Sequence, residues 1–203
     1  MKHYSILESL GFVGAIITIL GLIAVFLFIE RLSYINKITI DTVSFVEGIL
    51  NLLKFDKRNE ALTLCEETTG PIASITRTYI MHDEKSDNNI ELQISSLSSI
   101  EIRVLSKSLD LLKFLSFLSS CVGLVGTLLS VYKNFDILVK NNSVLDPHIL
   151  LTFFTYAVNT SIFGFLVAIL IFIFYTYLRY RIKLIIYDME WSAYKFAEFI
   201  TYN

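Results

Sequence analysis

Three long runs without a single Asp, Glu, Lys, Arg or His constrain what this chain can fold into. They are residues 11–29 ("GFVGAIITILGLIAVFLFI"), 114–132 and 149–178. A helix rises ~1.5 Å per residue, so about 20 apolar residues cross a hydrocarbon core ~30 Å thick. The first two runs are of that order, and the third is long enough to project beyond the bilayer. With 54% of the residues hydrophobic and 18% charged, the composition is that of a membrane protein. The first run leads into "ERLSYINK" rather than a small-residue cleavage site, which reads as a retained helix and not a signal peptide.

The basic residues between the runs set the expected orientation. Residues 30–113 carry Arg31, Lys37, Lys54, Lys57, Arg58, Arg77, Lys85, Arg103, Lys107 and Lys113, and the tail carries Arg179, Arg181, Lys183 and Lys195. The N-terminus has Lys2, and the connection between the second and third runs has only Lys133 and Lys140. The positive-inside rule then places the long segment and the tail in the cytoplasm. The expected organisation is an outside N-terminus with transmembrane helix 1 (1–30), a cytoplasmic helical region (31–113), transmembrane helix 2 (114–132), a short outside loop (133–148), transmembrane helix 3 (149–178) and a cytoplasmic helical tail (179–203). Cys65 and Cys121 fall in the cytoplasmic part and inside a span, so no disulfide is expected. A net charge of −2 with interspersed signs argues against nucleic acid.

The non-membrane segments have helical periodicity. Val43, Val46, Ile49, Leu50 and Leu53 recur at three- and four-residue spacing, as do Ala61, Leu62, Leu64 and Cys65, before Gly70 and Pro71 break the pattern. Residues 90–112 form a largely amphipathic helix that meets no breaker before the second run, and "RYRIKLIIYDMEWSAYKFAEFI" continues the third run in the same way. The fold class is therefore an all-α membrane protein with three transmembrane helices, the second and third extended into a cytoplasmic helical bundle. The tail either pairs with residues 90–112 or lies on the membrane surface.

Within the second run, Ser116, Ser120, Gly123, Thr127, Ser130 and Asn134 are spaced four, three, four, three and four apart, which places them on one helix face. In the third run Ala157, Ser161, Gly164 and Ala168 repeat the spacing, with Asn159 and Thr160 close by. Small residues let membrane helices approach, and interhelical hydroxyl bonds contribute roughly 0.6 to 2 kcal/mol each. Gly123, Gly126, Gly164 and Ala168 are the expected packing positions. The alternative use of such a face is a polar conduit, whose hydroxyls coordinate water, an ion or a partner's carboxylate.

At these residues the sequence resembles the MotA/TolQ/ExbB proton-channel family. "GLVGTLLSVYKNF" (123–135) is similar to the family's second-helix signature, Gly-Leu-Leu-Gly-Thr followed by an apolar stretch and Phe, and "AVNTSIFGFLVAI" (157–169) to its third-helix signature. The likeness extends to "ERLSYI" and "EALTLCEETTGPIASI", and the three-span topology points to the ExbB and TolQ branch. The resemblance implies a pentameric homo-oligomer in the bacterial inner membrane. This ring surrounds an ExbD- or TolR-like single-span partner whose membrane Asp carries the proton, and proton flow drives work on the cell envelope such as outer-membrane transport. It also implies that Thr127 and Ser161, or the adjacent Thr160, face the channel; Ser130, on the same face by spacing, and Asn159, close by, are the further candidates for the proton pathway. A hydroxyl suits this role because it can donate to a carboxylate and accept from a carboxylic acid. The spans contain no Asp, Glu, Lys, Arg or His, so the proton carrier must come from another chain.

Several positions depart from the family pattern. The prolines common before the second-helix glycines and after the third-helix Ala-Ile are missing, which implies straighter helices. The acid of ExbB falls at Tyr156, and the Asn at the far end of the third-helix motif falls at Thr176. A non-conducting scaffold that kept the fold and its interaction faces is the alternative reading. Elsewhere the chain offers little chemistry. His82, Asp83 and Glu84 are consecutive in a polar turn and lack metal-ligand spacing, and Asp146 with Pro147 reads as a helix start. No phosphate-cradling loop or nucleophile–base pair is present, so neither an enzyme nor a cofactor is expected.

Overall fold

The computed structural model describes residues 6–82, 90–140 and 147–202. They form six helices and no strand: α1 (Ile6–Ile38), α2 (Thr42–Lys54), α3 (Arg58–Glu67), α4 (Pro71–His82), α5 (Ile90–Lys140) and α6 (Pro147–Tyr202). The protein is all-α, and α1, α5 and α6 are each long and apolar enough to cross a membrane. Asp83, Glu84 and Asp146 lie outside the described residues.

The helices divide into two compact units, Met1–Ile29 with Leu109–Tyr177, and Glu30–Ser108 with Leu178–Asn203. In the first, the three apolar runs pack through a narrow core. Ile17 and Ala24 of α1, Leu112 and Ser119 of α5, and Ala157, Ala168 and Ile171 of α6 are buried. Large apolar side chains such as Phe12, Phe26, Phe117, Leu128 and Ile162 point outward, the inverse of a water-soluble helix bundle and the expected solution where the solvent is hydrocarbon. Phe28 of α1 stacks on Phe174 of α6 with centroids 4.3 Å apart and meets the edge of Tyr177 at 6.2 Å.

The second unit holds a conventional buried core, and its turns have local causes. The side chain of Asp41 caps α2, accepting from the Ser44 N–H at 3.5 Å and the Ser44 hydroxyl at 2.7 Å. That pair of bonds holds the Asp41 carboxyl below the usual range, the hydroxyl bond contributing most. α2 ends where Asp56 takes a φ of 58°, a left-handed conformation that Asp tolerates better than most residues. After α3, Gly70 at φ 138° turns the chain and Pro71 opens α4 at the first helical position. α4 packs by Ile72, Ala73, Ile75, Thr76, Tyr79 and Ile80, all buried, and its Arg77 pairs with Glu66 of α3 at 2.9 Å.

The tail of α6 buries Leu178, Ile182, Ile185, Met189, Ser192 and Phe196, a strict alternation of four- and three-residue steps on one helix face. It is fastened by α4, since the Tyr79 ring lies 5.6 Å from that of Phe196 and its hydroxyl donates to the Ala193 carbonyl at 3.3 Å. Arg181 donates to the Asn36 side-chain oxygen of α1 at 2.8 Å. The amphipathic tail is thus packed on protein, and α4, an element the sequence pattern registered only as a break at Gly70 and Pro71, supplies part of its seat.

Candidate functional site

The site is built on the antiparallel pairing of α5 and α6 in the first unit. Its closest approach is at Gly123 and Gly164. A Cβ added to Gly123 would stand 3.0 Å from the Gly164 Cα, and one added to Gly164 would stand 2.7 Å from the Gly123 Cα. Neither backbone can yield cheaply, so hydrogen at both positions is what allows the two helix backbones to touch. One turn further along α5, a Cβ on Gly126 would meet Val13 at 2.7 Å and the Thr160 methyl at 2.8 Å, so α1 and α6 both close on this glycine.

Two serines bridge the same seam. Ser116 Oγ donates to the Ala168 carbonyl at 2.8 Å, and Ser119 Oγ reaches the Gly164 carbonyl at 3.4 Å, a long contact for a hydroxyl donor. Both serines are buried. Hydrocarbon offers an orphaned hydroxyl no partner, so these bonds both satisfy the groups and tie the helices.

The face proposed from the 4-3-4-3 spacing divides along this seam. Ser116 and Gly123 lie inside it, whereas Ser120, Thr127 and Ser130 lie at its edge, half-buried. Ser119 and Gly126 share the buried strip with them, and sequence reasoning had not grouped these two with that face. Ser116, Ser119, Gly123, Gly126 and Ser130 also run at three- and four-residue steps, so the chain carries two overlapping patterns of the same period. The signal that separates them is size, because the glycines at 123 and 126 must sit at the closest approach.

On α6, Thr160 is 6% exposed and Ala157, Gly164 and Ala168 are buried around it, while Ser161 is half-buried and Asn159 exposed. The Thr160 hydroxyl donates to the Tyr156 carbonyl of its own helix at 3.0 Å, and Thr127 donates to Leu124 at 2.6 Å. Each keeps lone pairs that can accept. Among the described residues no hydrogen bond joins Thr127 to Ser161, Thr160, Ser130 or Asn159. Tyr156 is 41% exposed. No group of His, Cys, Asp and Glu that could hold a metal ion occurs among the described residues.

A sequence model of the MotA/TolQ/ExbB proton channel family matches residues 67–191, more than half of the chain. The chain belongs to this family. The matched region takes in the Gly123–Gly164 seam together with Thr127 and Ser161. A biopolymer transport protein ExbB homolog of Methanothermobacter thermautotrophicus is 22% identical over 176 residues, which cover 86% of this chain and 62% of that protein. The chain thus spans less than two thirds of that relative's length. No solved structure matches. Membership of the MotA/TolQ/ExbB family and three helices long and apolar enough to cross a bilayer together make this a membrane protein.

Proposed function

We propose that this protein is the ring-forming subunit of a proton channel in a bacterial inner membrane, with its N-terminus outside and its C-terminus cytoplasmic. An ExbD- or TolR-like single-span partner supplies a membrane Asp, and five copies surround it, as the family resemblance implies. Proton movement through that carboxyl drives work on the cell envelope, such as outer-membrane transport. One observation carries the reading: a member of a proton-channel family has no Asp, Glu, Lys, Arg or His in any of its three apolar runs, so these runs hold no carboxyl, amine or imidazole to carry the proton.

The proposed division of labour follows from chemistry. Thr127 and Ser161, at the edge of the α5–α6 seam, present hydroxyls to the partner's Asp and accept from its protonated form or donate to its ionised form. Of the adjacent pair on α6, Ser161 is the favoured channel residue because Thr160 is enclosed against Gly126. Ser130 and Asn159 extend the polar path. Reconstitution in liposomes tests the scheme: the protein alone gives no specific proton current, and the complex with its partner gives one that disappears when the partner's Asp becomes Asn. A specific current from this chain alone overturns it.

Tyr156 favours a second reading. The phenol replaces the acid of ExbB, as a scaffold that retained the fold but lost coupling would tolerate. A complex that assembles with its partner yet passes no protons selects this alternative.

A further inference from the structure

A cavity of about 370 Å³ opens on the outer side of the α5–α6 pair. Its floor is Ser116 and Ala168, its walls are Phe117, Phe165 and Phe172, and Ser120 lies at one end with Lys113 at the other. We propose that this groove binds an anionic phospholipid, one acyl chain lying along the aromatic walls and the phosphate meeting Lys113.

The lining selects the chemistry of the occupant. The polar atom of the floor is already committed, because the Ser116 hydroxyl donates to the Ala168 carbonyl. What remains along the groove is hydrocarbon surface, and Phe117 and Phe172 stand more than half exposed beside it. From position 113 to 120 the groove extends about 10 Å at the rise of a helix, which accommodates an extended alkyl segment. A small polar metabolite would find polar groups only at the two ends, Lys113 and Ser120, with hydrocarbon surface between them.

Charge adds the second selection. Lys113 is the residue immediately before the uncharged run 114–132, so its ammonium sits at the level where hydrocarbon gives way to headgroups. It is exposed and makes no ion pair among the described residues, its acidic neighbour Asp110 included. An apolar slot closed by one unpaired cation at headgroup depth complements an amphiphile with a negative head. It does not complement the neutral tip of an apolar helix from another protein.

The test is native mass spectrometry of the full-length protein in micelles supplemented with phosphatidylglycerol or phosphatidylcholine. The wild type is expected to retain phosphatidylglycerol about five-fold better, equivalent to ~1 kcal/mol for one lysine. Lys113→Gln reduces that preference to parity without moving the unfolding midpoint. Ser120→Phe, which fills the far end, lowers retention of both lipids. Equal retention by the wild type, or a preference that survives Lys113→Gln, overturns the proposal. Quantitative disulfide cross-linking of two copies through Phe117→Cys in native membranes also overturns it, by placing a second copy in the groove.

Discussion

Gly123 and Gly164 are packed backbone to backbone, each leaving no room for a Cβ on the other: the added atoms would lie 3.0 and 2.7 Å from the opposite Cα. A methyl there must push α5 and α6 apart, which also lengthens the Ser116 bond to Ala168. Gly123→Ala and Gly164→Ala are each expected to destabilise the protein by about 1–3 kcal/mol, the usual range for overpacking. Gly126→Ala meets the γ-methyls of the β-branched Val13 and Thr160 instead, at 2.7 and 2.8 Å, and is expected to cost a similar amount. Unfolding of the three variants in one detergent, followed by circular dichroism, ranks them; an unchanged Gly164→Ala variant contradicts the seam.

Gly70 is held differently. Its φ of 138° is a conformation L side chains rarely adopt, and an added Cβ would come within 3.1 Å of the Ile38 carbonyl. Gly70→Ala is expected to destabilise the protein by about 1–3 kcal/mol through backbone strain. Replacing the neighbouring exposed Thr69 by Ala is the control and leaves the unfolding midpoint in place.

The parts of the fold that could be read from sequence are those where one physical demand dominates. Residues 11–29, 114–132 and 149–178 leave a chain little choice but apolar helices, and these appear as parts of α1, α5 and α6. α4 was harder, because Gly70 and Pro71 announce where a helix stops without saying that another begins on the proline. The seat of the tail was harder still. The pattern Leu178, Ile182, Ile185, Met189 and Phe196 shows that a partner exists, but Tyr79 reaches Ala193 across 114 positions of sequence, and periodicity holds no such information. At the site, the spacing took in Ser120 and passed over the buried Ser119, since residues one apart differ by only ~100° on a helix and both fit a 3.6 period.

Cys65 gives a pH-dependent prediction. Burial is the main cause that lifts its thiol to about 11, partly offset by the nearby Arg77 guanidinium. An unfolded thiol titrates near ~8.5, so the folded state holds its proton more tightly. The resulting stability is fully present below about pH 8.5 and is lost as the pH rises toward about 11. Raising the pH from 9 to 11 is therefore expected to destabilise the wild type more than Cys65→Ala. In a Cys121→Ser background, iodoacetamide at pH 8 should modify Cys65 at least about 100-fold more slowly than a free thiol, since only the thiolate reacts. Rapid alkylation in the folded protein contradicts an enclosed thiol.

Thr127 and Ser161 yield the prediction on which the functional reading depends. Both lie at the rim of the seam, half-buried, and removal of either hydroxyl leaves the contact of Gly123 with Gly164 untouched. A hydrogen bond to a charged group contributes about 1.5–3 kcal/mol, so Thr127→Ala and Ser161→Ala should each lower the proton current of the reconstituted complex by about ten-fold or more. Thr127→Ser, which keeps the hydroxyl, should retain most of it. Thr160→Ala separates packing from conduction: its methyl fills the space beside Gly126, so its first effect is a lower unfolding midpoint rather than a block of an otherwise stable complex. Native mass measurement establishes that each variant still assembles. A normal current from the assembled Thr127→Ala, Ser161→Ala double variant would remove both hydroxyls from the proton path and leave their role to packing alone.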